Sequence, residues 1–217
     1  MFLGHFALGF AAKRASPRMS LGTAFLAAQF LDLLWPALLL AGLESVRIVP
    51  GHTAVTPLAF EHYPYSHSLL AAMAWGAALG LAHAALHRNA RTAAIIAMLV
   101  VSHWLLDSIV HVPDLPLAPG GEARVGLGLW HSVPATIAVE GLLFAAAVAM
   151  YARGFPPTGR AGRWGLIGLV GLLVAIYAAN LFGPLPAEVQ DIAIVGQAQW
   201  LLVLFGWWVD RHRKPAA

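Results

Sequence analysis

Histidine and aspartate recur within apolar stretches of this chain, where ionisable side chains are uncommon. His103, Asp107 and His111 follow one another at a spacing of four residues in SHWLLDSIVH, which places them on one face of a helix. Asp32 lies inside another apolar stretch, QFLDLLWP. A charged group in the hydrocarbon region of a bilayer costs about 2.5–3.5 kcal/mol on insertion scales, so such residues usually pair or carry a function.

Further histidines lie at the beginnings of apolar segments. In EHYPYSHS, residues 61–68, His67 directly precedes an apolar run, and His131 begins another. His5 lies in a shorter apolar piece near the first residue. Imidazole and carboxylate groups without thiolates suit zinc, manganese or iron(II), and the chain has no cysteine. The residue types therefore indicate a divalent-cation site, with polar pairing between helices as the simpler alternative.

We predict one divalent metal ion, zinc in the first place with manganese or iron as alternatives, and an open position for a reactant. The predicted ligands are His5, Asp32, His67, His103 and Asp107. The predicted acid–base residues are Glu61, His62 and Asp107. The residues predicted to support the ligands by hydrogen bonds or substrate contact are Ser66, Ser68, His111 and His131. Glu140, deep in a later apolar run, is a further candidate.

The composition is that of an integral membrane protein. The chain has 217 residues, of which 59% are hydrophobic and 11% charged, and its mean hydropathy is +0.72. A soluble domain usually carries about 25% charged residues. The net charge of +3 does not indicate nucleic-acid binding, because the basic residues are scattered among loops.

The apolar runs predict an all-α, polytopic helix bundle that forms one membrane domain over residues 1–217. Runs of about 20 residues are long enough to cross a hydrocarbon core of about 30 Å, and residues 2–12 are long enough only to insert partway. The predicted spans are 20–43, 66–87, 92–111, 131–152, 164–183 and 190–209. The predicted ligands all fall in the first half, about 1–115, and the remainder, 116–217, is predicted to be helical.

The basic residues predict the orientation of the bundle. With six spans, Arg47 and Arg124 lie on the side of the long loops 44–65 and 112–130, and the other lysine and arginine residues lie on the opposite side. The positive-inside rule then places the two loops outside and the C-terminal tail in the cytoplasm. In this orientation the five predicted ligands share the outer half of the bilayer, which makes their convergence possible.

The motifs around these residues resemble the inner-membrane-associated metal-dependent hydrolases of prokaryotes. In that family an early histidine beside glycine is followed by Pro-Asp-x-Asp, His-Arg-x-x-Thr-His-Ser and Ser/Gly-His-x-x-x-Asp. The matching elements here are His5 in GHFALG, Asp32 in FLDLLWP, His62 with Ser66-His67-Ser68, and Ser102-His103 with Asp107. The resemblance covers about residues 1–115 and implies a membrane-embedded hydrolase that uses a metal ion.

Three positions depart from the family pattern. Leu34 stands where the second aspartate would be, which favours one metal ion over two. Tyr63 replaces an arginine that would bind a phosphate, and Leu31 replaces the proline. The bond that would be cleaved, an ester, amide or phosphoester of a lipid-soluble or periplasmic molecule, therefore stays open.

Two other functions remain compatible with these residues. A transporter or permease would use the intramembrane histidine and aspartate residues to relay protons or metal ions. A structural membrane protein would use them only to fix helix packing. The absence of an internal repeat and the clustering of the charges in the outer half favour the hydrolase.

Overall fold

The computed structural model describes residues 1–216 and consists almost entirely of helices. The helices are α1 Phe2–Ala15, α2 Leu21–Ala28, α3 Phe30–Leu40, α4 Pro64–His67, α5 Leu69–His87, α6 Ala90–Val110, α7 Val133–Gly154, α8 Arg160–Phe182, α9 Val189–Gly196 and α10 Gln199–Arg211. A 3₁₀ turn at Leu129–His131 precedes α7. The strands are β1 Ser45–Ile48, β2 Leu58–His62, β3 Leu115–Pro116 and β4 Arg124–Val125.

The predicted all-α membrane bundle is confirmed. Five helical segments within the described residues are long and apolar enough to cross a membrane, and the bent pair α2–α3 brings the number to six. Many large apolar side chains, such as Leu81, Leu86 and Leu142, lie on the outer surface of the bundle. Such a surface suits a bilayer as the surrounding solvent.

Two of the predicted spans are interrupted in the structure. The span predicted over residues 20–43 is broken at Gln29, where α2 and α3 meet with a bend of 55°. The last span, predicted over residues 190–209, is divided into α9 and α10 by a turn between Gly196 and Gln199. Hydropathy averaged over a window of membrane-span length does not reveal either break, because the few polar residues at each break lie within long apolar runs.

Polar caps begin the long helices. Ser20, Ser68, Asn89 and Ser132 each precede a helix and accept a hydrogen bond from the backbone N–H three residues later. These caps satisfy amide groups that a helix leaves without partners at its first turn. The beginnings of α2, α5, α6 and α7 are therefore fixed by the local sequence.

The two long loops meet at one end of the bundle. Each loop folds into a short antiparallel hairpin, β1 with β2 and β3 with β4, which the sequence analysis did not predict. The loops bind each other where Ala54 N–H donates to the Trp130 carbonyl and where Arg124 donates to the Glu61 carbonyl. The hairpins lie at one end of the bundle, and β2 leads into α4, the helix that carries His67.

The opposite end is tied together by a buried lysine. Lys13 of α1 donates to Asp210 of α10 at 2.9 Å and to the carbonyl groups of Pro17 and Met19. Tyr151 of α7 donates to the same aspartate at 3.0 Å. The short helix α1 therefore runs up into the core from this end, where its Phe6 and Phe10 are fully buried.

Candidate metal centre

The five predicted ligands come together in the structure. Two groups, His5–His103–Asp107 and Asp32–His67–His103, each present one ligand atom per residue, and the atoms within a group lie within 4.8 Å of one another. The groups share His103 and are formed by α1, α3, α4 and α6. Four elements that are distant in sequence therefore converge here, which the predicted common depth of these residues made possible.

The break in the first span fixes His103. Gln29 ends α2 with φ −101° and ψ 6°, and the carbonyl of the preceding residue, Ala28, accepts a hydrogen bond of 2.7 Å from His103 Nδ1. Because a carbonyl only accepts, the proton lies on Nδ1 and the lone pair of a neutral ring lies on Nε2. His103 Nε2 is buried without a hydrogen-bond partner and faces Asp107 Oδ2 at 3.1 Å and Asp32 Oδ1 at 3.7 Å.

A proline in α3 helps to position Asp32. Pro36 has no N–H, so the carbonyl of Asp32, four residues earlier, lacks its helical partner. Gln199 of α10 donates to that carbonyl at 3.4 Å. The Asp32 side chain keeps 26% of its surface exposed, whereas His67 keeps 5% and Asp107 keeps 2%. Space for a water molecule or a substrate group therefore lies on the Asp32 side of the cluster.

His67 ends the short helix α4, which Pro64 begins. Its Nε2 lies 3.4 Å from Asp32 Oδ1 and 3.8 Å from Asp107 Oδ2. Its other ring nitrogen, Nδ1, lies 2.7 Å from the hydroxyl of Ser66. Ser66 therefore contacts His67 directly, while Ser68 is the N-cap of α5 and donates to the Pro64 carbonyl.

His5 reaches the cluster from α1. Its Nε2 lies 3.1 Å from Asp107 Oδ1, and the N-terminal ammonium of Met1 donates to the same oxygen at 2.5 Å. The His5 Nδ1 atom is buried without a partner. Asp107 therefore has one oxygen directed at His5 and the other at His103.

Glu140 belongs to the surroundings of the site and not to either ligand group. Its Oε2 atom accepts a hydrogen bond of 3.2 Å from the backbone N–H of Gly4. The carboxylate therefore lies at the N-terminal end of α1, where the exposed amide groups favour negative charge. Glu140 holds the helix that carries His5.

Three predicted residues lie outside the cluster. Glu61 is on the surface and forms an ion pair with Arg47. His62 and His131 are exposed, and none of the three belongs to a ligand group in the described part of the chain. Their loops turn these side chains toward solvent, so the structure gives no support to Glu61 and His62 as acid–base residues or to His131 as a support of the ligands.

His111 and Tyr63 form a separate network nearer the loops. His111 Nδ1 lies 2.9 Å from Asp114 Oδ1, and the Tyr63 hydroxyl donates to the same oxygen at 3.1 Å. Burial, followed by the Asp114 carboxylate, raises the pKa of Tyr63 above its ordinary value, so Tyr63 stays a neutral donor. The rings of Tyr63 and His67 are 5.5 Å apart, which places this network directly above the cluster.

Sequence reasoning missed Glu44. This glutamate is buried in the loop after α3 and accepts hydrogen bonds from the backbone N–H groups of Tyr65 and Ser66, each at 2.8 Å. It also accepts from the Ser66 hydroxyl at 2.6 Å. Glu44 follows a predicted span directly, where a charged residue normally marks only the membrane boundary, so its position gave no signal of this role.

The geometry calls for a positive charge inside the cluster. The lone pair of a neutral His103 ring and two carboxylates face one another in a buried space, and a cation among them reduces their repulsion. The N-terminal ammonium of Met1 offsets the charge at Asp107 Oδ1, whereas Asp107 Oδ2 and Asp32 Oδ1 face His103 Nε2. A metal ion or a proton on His103 satisfies this requirement. Comparison of the chain with protein-family models, curated proteins and solved structures finds no match.

Proposed function

We propose that the protein is a membrane-embedded, metal-dependent hydrolase that holds one divalent ion, zinc in the first place, among His5, Asp32, His67, His103 and Asp107. The observation that carries the proposal is the buried His103 Nε2 atom, which faces two carboxylates with its proton held on the opposite nitrogen. Outer hydrogen bonds that fix the tautomer of a histidine in this way are common behind metal ligands.

The donor set fits the proposed ion. Imidazole and carboxylate groups bind zinc, manganese and iron(II), and catalytic zinc sites keep one position open. The exposed side of Asp32 supplies that opening, while His5, His103 and Asp107 are enclosed. A bound divalent ion would supply an activated water and would polarise the bond to be cleaved.

Asp32 and Asp107 have different roles in the proposed reaction. Asp32 Oδ1 faces His67 and His103, which leaves Asp32 Oδ2 to accept a proton from an entering water molecule. Asp107 has its oxygens directed at His5 and His103 and serves to orient them. The proposal therefore moves the role of general base from the three predicted residues, Glu61, His62 and Asp107, to Asp32.

We place the protein in the prokaryotic plasma (inner) membrane with the two long loops outside. The contacts between the two loops support their lying on the same side of the membrane, and the excess of lysine and arginine away from them supports that side being outside. Its substrate would be a lipid-soluble or periplasmic ester, amide or phosphoester. The resemblance to inner-membrane metal-dependent hydrolases supports the same reading.

Chromogenic carboxylic and phosphoric esters test the proposal in lipid nanodiscs. The chain should hydrolyse members of this panel only after loading with zinc, manganese or iron(II), and His103→Ala should reduce the rate to background. His87 is an exposed histidine at the C-terminal end of α5, the end away from His67. His87→Ala is therefore the matched control and should keep full activity. Hydrolysis that is unchanged in His103→Ala, or absent from metal-loaded protein across the panel, would contradict the proposal.

The break at Gln29 favours a transporter as the second candidate. Transporters often place ion sites where a membrane helix is discontinuous, and Asp32 lies one turn beyond this 55° bend. Uptake of zinc or protons into proteoliposomes, lost in Asp32→Asn, would support transport. A metal-loaded protein that leaves both gradients intact would exclude it.

A further inference from the structure

We propose that Glu44 selects the tautomer of the neutral His67 ring through the hydroxyl of Ser66, and thereby presents the Nε2 lone pair of His67 to the metal ion. Glu44 is a positioning residue in this role, because it acts on the ligand through a second side chain. The expected effect on metal affinity rests on the proposed metal site. The His67 tautomer itself is a property of the protein without metal.

The contacts form a continuous chain of hydrogen bonds. Glu44 Oε2 lies 2.6 Å from Ser66 Oγ, and Ser66 Oγ lies 2.7 Å from His67 Nδ1. All three side chains are buried. The other Glu44 oxygen, Oε1, accepts from the backbone N–H groups of Tyr65 and Ser66, so the carboxylate cannot rotate without losing two hydrogen bonds.

The direction of each hydrogen bond follows from the chemistry of the groups. A carboxylate only accepts, so the Ser66 hydroxyl donates its one proton to Glu44. Ser66 Oγ then has only lone pairs to offer His67, so His67 Nδ1 must carry a proton. In the neutral ring this leaves the lone pair on Nε2, the atom that faces Asp32 and Asp107.

Replacing Glu44 with glutamine should reverse the direction of the hydrogen bonds that link residue 44 through Ser66 to His67. The amide oxygen would take the place of Oε1, because two backbone N–H groups require an acceptor there. The amide nitrogen would then face Ser66 Oγ and donate to it, and the Ser66 proton would turn toward His67 Nδ1. The His67 proton would move to Nε2, where it blocks a metal ion.

The zinc affinity of variants should report the change in the His67 tautomer. Glu44→Gln should weaken zinc binding by about 10–100-fold, the range typical for groups that orient metal ligands. Ser66→Ala frees His67 to take either tautomer and should weaken binding less. The double variant Glu44→Gln/Ser66→Ala should recover the affinity of Ser66→Ala alone, because the amide no longer reaches the imidazole. A merely structural role of Glu44 would make the double variant at least as weak as Glu44→Gln.

Nitrogen-15 NMR of histidine-labelled protein without metal reads the tautomer directly. The His67 signals, identified by their loss in His67→Ala, should report a protonated Nδ1 in the wild type and a protonated Nε2 in Glu44→Gln. Glu122→Gln, an exposed glutamate in the other long loop, is the matched control and should change neither tautomer nor affinity. A wild-type His67 protonated on Nε2, or a Glu44→Gln variant with unchanged tautomer, would overturn the inference. Failure of the wild type to bind zinc would instead count against the proposed function.

Discussion

The imidazole rings of His5 and His103 stack face to face, with 3.5 Å between their centroids and 6° between their planes. One ring belongs to α1 and the other to α6, so this contact joins the inserted N-terminal helix to the central helix of the bundle. Two protonated imidazoles would repel each other in this position. Stacking therefore disfavours a charge on both rings at once, and it makes α1 part of the site.

Replacement of His5 should weaken the metal site without unfolding the protein. His5→Ala removes one predicted ligand and the ring that covers His103, so we expect zinc affinity to fall about tenfold or more. The helix should stay in place, because Lys13 and the buried Phe6 and Phe10 hold it independently. Competition with a zinc-binding dye measures the affinity, and His87→Ala should match the wild type.

The close packing of α5 on α6 should depend on Gly76. A Cβ atom on Gly76 would lie 2.7 Å from the carbonyl oxygen of Ala97, and backbone cannot move aside cheaply. Gly76→Ala should therefore lower the free energy of unfolding by about 1–3 kcal/mol. Unfolding in mixed detergent micelles measures it. Gly171→Ala, where a Cβ meets no atom within 4 Å, is the matched control. Equal stability of the two variants would refute the close approach.

The buried Lys13 should contribute more to stability than any exposed lysine. Lys13→Met leaves Asp210 without its cation, which should cost about 3–5 kcal/mol of unfolding free energy. Adding Asp210→Asn should restore part of this loss, because the uncompensated charge is removed. Lys214→Met changes an exposed lysine and should leave the same unfolding transition in place. A loss that is unchanged in the double variant would mean that packing, not charge, is responsible.

The orientation of the bundle is testable because the chain has no cysteine. Glu122 lies in the exposed loop between β3 and β4, and Arg163 lies at the opposite end of the bundle, in the first turn of α8. A single cysteine is introduced at each position, as Glu122→Cys and Arg163→Cys. A membrane-impermeant maleimide added to intact cells should label the first variant and spare the second. The reverse labelling would invert the proposed topology and place the hairpins in the cytoplasm.

The sequence predicted which side chains come together better than it predicted the elements that hold them. His103 and Asp107 could be identified from the sequence because ionisable groups one helical turn apart are costly in an apolar run. The break at Gln29 involves a tertiary partner, His103, which no local pattern encodes. Pro36 predicts that the Asp32 carbonyl lacks a helical partner, but it does not predict that Gln199 donates to this carbonyl. Glu44 looked like a boundary residue because its partner, Ser66, lies beyond an entire hairpin.

Zinc content tests the central claim most directly. The detergent-purified chain, saturated with zinc and then passed over a desalting column, should retain about one zinc ion per chain by elemental analysis. The His67→Ala/His103→Ala variant should keep the wild-type fold, judged by its circular dichroism and elution volume, and lose the metal. Retention of less than about a tenth of an equivalent by the wild type, or full retention by the folded variant, would contradict the account.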